Sequence, residues 1–414
     1  MLRASISHLF LAVMVFVAVL SLSFSFSSIS YASENAENGK KTENSEKPTV
    51  GPAAGRTPVR VVYFTPADCE PCADREVRLG RVMKHVQEFY RRGMEENGYG
   101  PMTFDLEWTA PDKLKVYDVR GKKNQLEYGR NDARVVRGEV HEALLAEGID
   151  FQQEFVVIFE RLLRWEDGKT TEIGPYVGGG WHVSGTAWVF DDPMLDADLL
   201  TSKEQGGYYH GPCTVGEFNS HYIGGVAHEM GHMFGLPHAC QLDKEYWEKG
   251  SSLMGSGNHT YGEDLRGEGR GTFLCASSAA RLSKNRAFAG VFPVSKSVGW
   301  TREVTGALEK LNAEWKDEKI VLTGKIRDAK GMFEKIIVSH DKKFPEANYD
   351  AKTWVAPVTQ DGEFTITITE WEKTDYELRL VFLSVEGTAP YMKFNHTINA
   401  ENPENASSLA PLCF

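Results

Sequence analysis

Apolar residues fall along this chain in two textures. Up to about residue 190, continuous apolar runs alternate with stretches of helical spacing. Val59-Arg60-Val61-Val62-Tyr63-Phe64 is a β-branched and aromatic run that reads as a buried strand. From about Asp74 to Met94, Val77, Leu79, Val82, Val86 and Phe89 recur at helical intervals. Two short strands, Met102 to Trp108 and Lys113 to Val119, precede a second amphipathic helix from about Asp132 to Ala146. Phe155 to Phe159 is then another buried strand. Strands separated by crossover helices predict a mostly parallel, twisted sheet with helices packed on it. Gly178-Gly179-Gly180 reads as a turn into Trp181 to Phe190, whose alternation suits a strand with one open side.

From about Lys319 the texture changes to short alternating strands: Ile320 to Ile326, Lys335 to Ser339, Thr353 to Val358, Phe364 to Thr369, Tyr376 to Leu383 and Tyr391 to Phe394. Turn pairs such as Asp361-Gly362 and Glu386-Gly387 separate them. That pattern predicts an all-β sandwich following the α/β domain.

The amino end carries Arg3, an apolar run from Leu9 to Leu20, and small residues around Ser30-Tyr31-Ala32, which together read as a cleaved export signal. An uncleaved anchor is the alternative, and the run is short for a span. The polar stretch that follows has no aromatic residue and reads as a tether. The expected division is a signal at 1–32, a linker at 33–58, the α/β domain at 59–300, a connection at 301–318, the sandwich at 319–398 and a tail at 399–414. Location would be secreted or periplasmic, with no membrane attachment once the signal is removed.

Charge narrows the partners. With 414 residues, 41% hydrophobic, and a formal charge of −12, the chain is globular and lacks the cationic excess that nucleic-acid binding requires. Nothing in it sets an oligomeric state. Export would place Cys69, Cys72, Cys213, Cys240, Cys275 and Cys413 in an oxidising compartment, where thiols tend to pair. A local Cys69–Cys72 bridge and a Cys213–Cys240 bridge around the next motif are both open. So is a thioredoxin-like redox role for Cys69-Glu70-Pro71-Cys72, which lies between a strand and a helix.

The chemistry concentrates in His228-Glu229-Met230-Gly231-His232-Met233-Phe234-Gly235-Leu236-Pro237-His238. Asn219 and Ser220 offer helix caps, and the segment after them reads as a helix to about Phe234. His228 and His232, four residues apart, project from one face and can share a metal ion. Glu229 would flank that ion and touch a bound water, the position of a general base. Gly235 stops the helix in a left-handed conformation, Pro237 prevents its resumption, and His238 returns as a third nitrogen. Three protein ligands leave the fourth tetrahedral position of one catalytic Zn²⁺ to water.

These residues match H-E-x-x-H-x-x-G-x-x-H at every fixed position, and the stretch resembles the metzincin zinc peptidases. The resemblance implies a zincin α/β fold with an edge strand before the active-site helix. It also implies a methionine turn beneath the metal, here Ser252-Leu253-Met254-Gly255, with Met254 as an apolar floor. Gly174 to Gly180 and Asn258 to Gly262 also look like exported bacterial metallopeptidases of unassigned substrate, over about Pro58 to Val298. Ser256 stands where some metzincins carry a tyrosine; Tyr261 lies nearby. The resemblance implies an exported endopeptidase acting on a protein or peptide, with Glu229 activating a zinc-bound water. Substrate would add as a strand along Trp181 to Phe190. The rival reading is a non-catalytic zinc protein whose sandwich attaches to protein or glycan.

Overall fold

A computed structural model describes residues 56–290, 308–327, 332–343 and 349–398. The expected signal, most of the tether, Cys413 and the tail lie outside these residues. Among the described residues no helix is long and apolar enough to cross a membrane.

The first half is built on a five-stranded sheet: β1 (Arg60–Thr65), β2 (Val116–Arg120), β3 (Phe155–Glu160), β4 (Val177–Gly180) and β5 (Gly185–Phe190), in the order β2-β1-β3-β5-β4. The first four strands in that order are parallel, and β4 runs antiparallel to β5 at the edge. Central β3 is buried at all six positions, as expected of a parallel strand covered on both faces. Helix α1 (Arg75–Glu96) follows β1, and α2 (Ala133–Ala146) packs on β1 and β2. Helix α3 (Val215–Met233) lies across β4 and β5 and against α1, where the Tyr90 hydroxyl donates to the Ala227 carbonyl at 2.8 Å.

Two expectations for this half need correcting. Trp181 to Phe190 is not one open strand: it contributes β5, and β4, the glycine run expected as a turn, pairs with it through a turn at 181–184. Van der Waals contact explains the glycines. A β-carbon on Gly178 would collide with the Glu229 carbonyl, and one on Gly180 or Gly185 with that of Met233. Likewise, Met102 to Trp108 is mostly irregular, with a single bridge from Leu106 to Val59.

Asp191, just past β5, is fully buried and accepts two bonds from Arg78 of α1, at 2.8 and 2.9 Å, and one from the Tyr63 hydroxyl at 2.6 Å. This interior pairing ties α1 to the sheet.

The second half consists of two facing antiparallel sheets. β6 (Leu308–Lys316), β7 (Lys319–Ile326) and β10 (Glu363–Ile368) form one, in the order β6-β7-β10. β8 (Phe333–Lys342), β9 (Lys352–Pro357), β11 (Asp375–Ser384) and β12 (Tyr391–Thr397) form the other, in the order β9-β8-β11-β12. Leu322, Ile336, Val338, Leu378, Leu380 and Phe382 fill the space between. β6 falls within the stretch expected as a connection. It pairs with β7 through Asp317-Glu318, both at positive φ (50° and 57°), a turn conformation usually signalled by Asn-Gly or Asp-Gly.

The halves meet through α4 (Ala276–Leu282), whose Ala280 packs against Ile337, Val381 and Leu383 of the sandwich. From the same helix the Ser277 hydroxyl lies 2.8 Å from that of Thr353, and just past it Lys284 pairs with Glu334 at 2.5 Å.

Candidate metal centre and cleft

Helix α3 begins earlier than expected. Its cap is Thr214, whose hydroxyl accepts from the Glu217 amide at 3.1 Å while the Glu217 carboxylate accepts from the Thr214 amide at 2.7 Å. Asn219 and Ser220, expected as caps, are buried inside the helix. The Asn219 side chain instead accepts from the Asp196 amide at 2.6 Å and donates to the Met194 carbonyl at 3.0 Å.

The carboxyl end of α3 closes as read from the sequence. Gly235 sits at φ 84°, its amide donating to His232 O at 2.9 Å, and the Leu236 amide donates to Gly231 O at 3.0 Å. That is a Schellman closure, available because glycine meets no β-carbon penalty there. The reversal returns His238 to the helix face. One ligand atom from each of His228, His232 and His238 lies within 4.8 Å of the others, and His232 Nε2 is 3.1 Å from His238 Nε2.

The environment fits a metal. His228 Nδ1 lies 2.7 Å from Leu253 O and His232 Nδ1 2.8 Å from Leu236 O. A carbonyl only accepts, so each Nδ1 carries the proton and each Nε2 carries the lone pair, which is the tautomer a metal-binding histidine needs. Burial holds all three imidazoles below their usual pKa, His238 down to about 3, with neighbouring histidine charge adding to the effect on His228 and His238. The donor set is therefore neutral nitrogen at ordinary pH, matched to zinc or a similar divalent ion.

Glu229 sits beside these rings. Burial pushes its carboxyl up to about 8, opposed by the nearby Gly178 amide of β4. Sequence reading missed that amide; its signal was the Gly174 to Gly180 run. Met254 is fully buried beneath α3, its sulfur against the α-carbon face of Gly231, and its carbonyl accepts from the Ala239 amide at 3.0 Å. Tyr261 does not reach the cleft: it is buried against Phe89 and His85 of α1.

Two turns back along α3, His221 stacks on Tyr209 at 3.9 Å between centroids, with His259 at 5.7 Å. The described cysteines, Cys69, Cys72, Cys213, Cys240 and Cys275, are free thiols, so neither the Cys69–Cys72 nor the Cys213–Cys240 bridge is present. Burial raises the pKa of Cys69 and Cys72, with nearby Asp68 and Asp191 adding to it. A redox nucleophile needs the opposite shift.

Neither a family model nor a curated protein matches the chain. Solved structures do. OgpA from Akkermansia muciniphila, in a catalytically inactive form in complex with an O-glycopeptide (glycodrosocin) substrate, is 22% identical over 85% of this chain and 96% of its own, with a TM-score of 0.69. Wild-type OgpA in two crystal forms aligns at 23% identity, over 85% of this chain and 96% or 95% of its own, again at 0.69. The fold of the whole described chain, an α/β half followed by a β-rich half, is thus one that OgpA shares.

Proposed function

We propose that this chain is an exported zinc-dependent endopeptidase, with His228, His232 and His238 holding one metal ion and Glu229 as the general base. The observation that carries the reading is the convergence of three neutral imidazoles, two of them fixed by carbonyl bonds, beside the Glu229 carboxyl. A zinc ion held there supplies Lewis-acid polarisation of a carbonyl and acidifies a water. With a dication beside it favouring the ionised form, Glu229 would take a proton from the attacking water and return it to the leaving amine. The Gly178 amide steadies the carboxylate before the first transfer and after the second. Met254 backs the helix from below and keeps water from that side.

Substrate adds as a strand to the outer edge of β4, Val177–Gly180, rather than along Trp181 to Phe190. The likeness to OgpA, with its O-glycopeptide substrate, supports a glycopeptide as the class cleaved.

The test loads the mature protein with zinc and offers a matched pair of peptides with and without an O-glycan, then repeats the assay with Glu229→Gln. Cleavage should occur, favour the glycosylated member, and fall by at least about a thousandfold in the variant while metal stays bound. Zinc retention without cleavage by the wild type would favour the non-catalytic binding protein. Equal cleavage of both peptides would remove only the glycopeptide assignment.

A further inference from the structure

We propose that the β-sandwich is a working part of the metal centre through Tyr349, a positioning residue for the third histidine; this rests on the metal reading above. His228 and His232 are each oriented by a carbonyl. No carbonyl among the described residues accepts from His238 Nδ1. What covers His238 is the ring of Tyr349, stacked with centroids 3.9 Å apart and planes at 28°.

The contact is anchored on both sides. Immediately past His238 the Cys240 amide donates to Ala351 O at 2.8 Å, and Cys240 bridges to Lys352 in parallel register. Lys352 then pairs with Asp243 at 2.7 Å, and the Asp243 amide donates to the Glu370 carboxylate at 3.0 Å. The backbone that carries the third histidine is therefore annealed to the sandwich segment that carries Tyr349.

Electrostatics makes the stack selective. A neutral imidazole gains little from an aromatic face, but one sharing its Nε2 lone pair with a dication becomes electron-poor and gains from the π cloud above it. Tyr349 thus favours the metal-loaded state over the empty one, and holds the His238 ring in the plane that loading requires. Tyr349 itself is half exposed.

The experiment measures zinc affinity by competition with a chromophoric chelator for the full chain and for Tyr349→Phe, Tyr349→Leu and Tyr349→Ala, with the melting temperature of each metal-free protein alongside. Groups that orient a metal-bound histidine typically affect affinity by about 10- to 100-fold. Leu and Ala variants should lose at least about tenfold, Phe should restore wild-type affinity within about twofold, and the metal-free melting temperatures should coincide. The leucine variant keeps apolar bulk, which separates loss of the aromatic face from loss of fold. Wild-type affinity in both the Leu and Ala variants overturns the role of Tyr349, as does weak binding by the Phe variant. Absence of stoichiometric zinc in the wild type overturns the metal reading itself.

Discussion

At the scale of single residues, the glycines of β4 show how closely helix and strand approach. Gly178 and Gly179 are adjacent in sequence and opposite in consequence. A β-carbon on Gly178 would enter the Glu229 carbonyl, whereas nothing lies within 4 Å of one placed on Gly179. Backbone cannot step aside as a flexible side chain can, so Gly178→Ala must push β4 off α3. It should destabilise the protein by about 1–3 kcal/mol and displace the amide that steadies Glu229, cutting peptidase activity by more than the stability loss alone would. Gly179→Ala should stay within about 0.5 kcal/mol of wild type and keep its activity. Urea unfolding and initial rates on the two purified variants check the pair, and equal behaviour would show that the close approach has no energetic weight.

At the scale of elements, much of the candidate site is legible because one helix and its closure carry most of it. The four-residue spacing of His228 and His232 and the break at Gly235 are local properties, and the structure realises both. What sequence hid depends on contacts far along the chain. β4 has no strand propensity in Gly178-Gly179-Gly180; it is a strand because it pairs with β5, and Gly178 and Gly180 let it do so beneath α3. The capping side chain of Asn219 points to a start for α3 a turn too late, because that side chain serves the Met194 to Asp196 segment instead. β6 escaped because its outward face is charged and its turn, Asp317-Glu318, lacks glycine. The true cap gives a direct check. Thr214→Ala removes one side of the reciprocal pair with Glu217 and should cost about 1 kcal/mol by denaturant melt. A change below about 0.3 kcal/mol would mean that the contacts of α3, not its cap, set where the helix starts.

At the scale of the whole molecule, the sandwich is both a neighbour of the candidate metal centre and a separate source of acid sensitivity. His340 of β8 and His396 of β12 are buried with their Nε2 atoms 2.9 Å apart, so one donates and the other accepts. Tyr376 covers His340 at 3.7 Å between ring centroids, Trp354 lies beyond it, and Asp341 is next in the strand. Burial pushes His340 well below its usual pKa, with His396 adding to it, and pushes His396 down to about 4, with Lys343 adding. Both folded values lie below the unfolded one, near 6.5, so between them the unfolded chain binds more protons. The contribution of the pair is complete above about pH 6.5 and is lost as pH falls toward about 4. For His396 alone the loss is on the order of 3 kcal/mol. Because Tyr349 reaches His238 from this half, acid loosening of the sandwich should also weaken the grip on metal. Urea unfolding at pH 7.5, 6.0 and 5.0, followed on the fluorescence of the sandwich tryptophans, should show stability falling with pH in the wild type. The slope should be shallower in His396→Asn, which keeps a polar partner for His340 without an imidazole to protonate. If both proteins lose stability in parallel, the acid sensitivity resides in other buried groups, of which His182 and His221, each held near 4 by burial, are the next to replace.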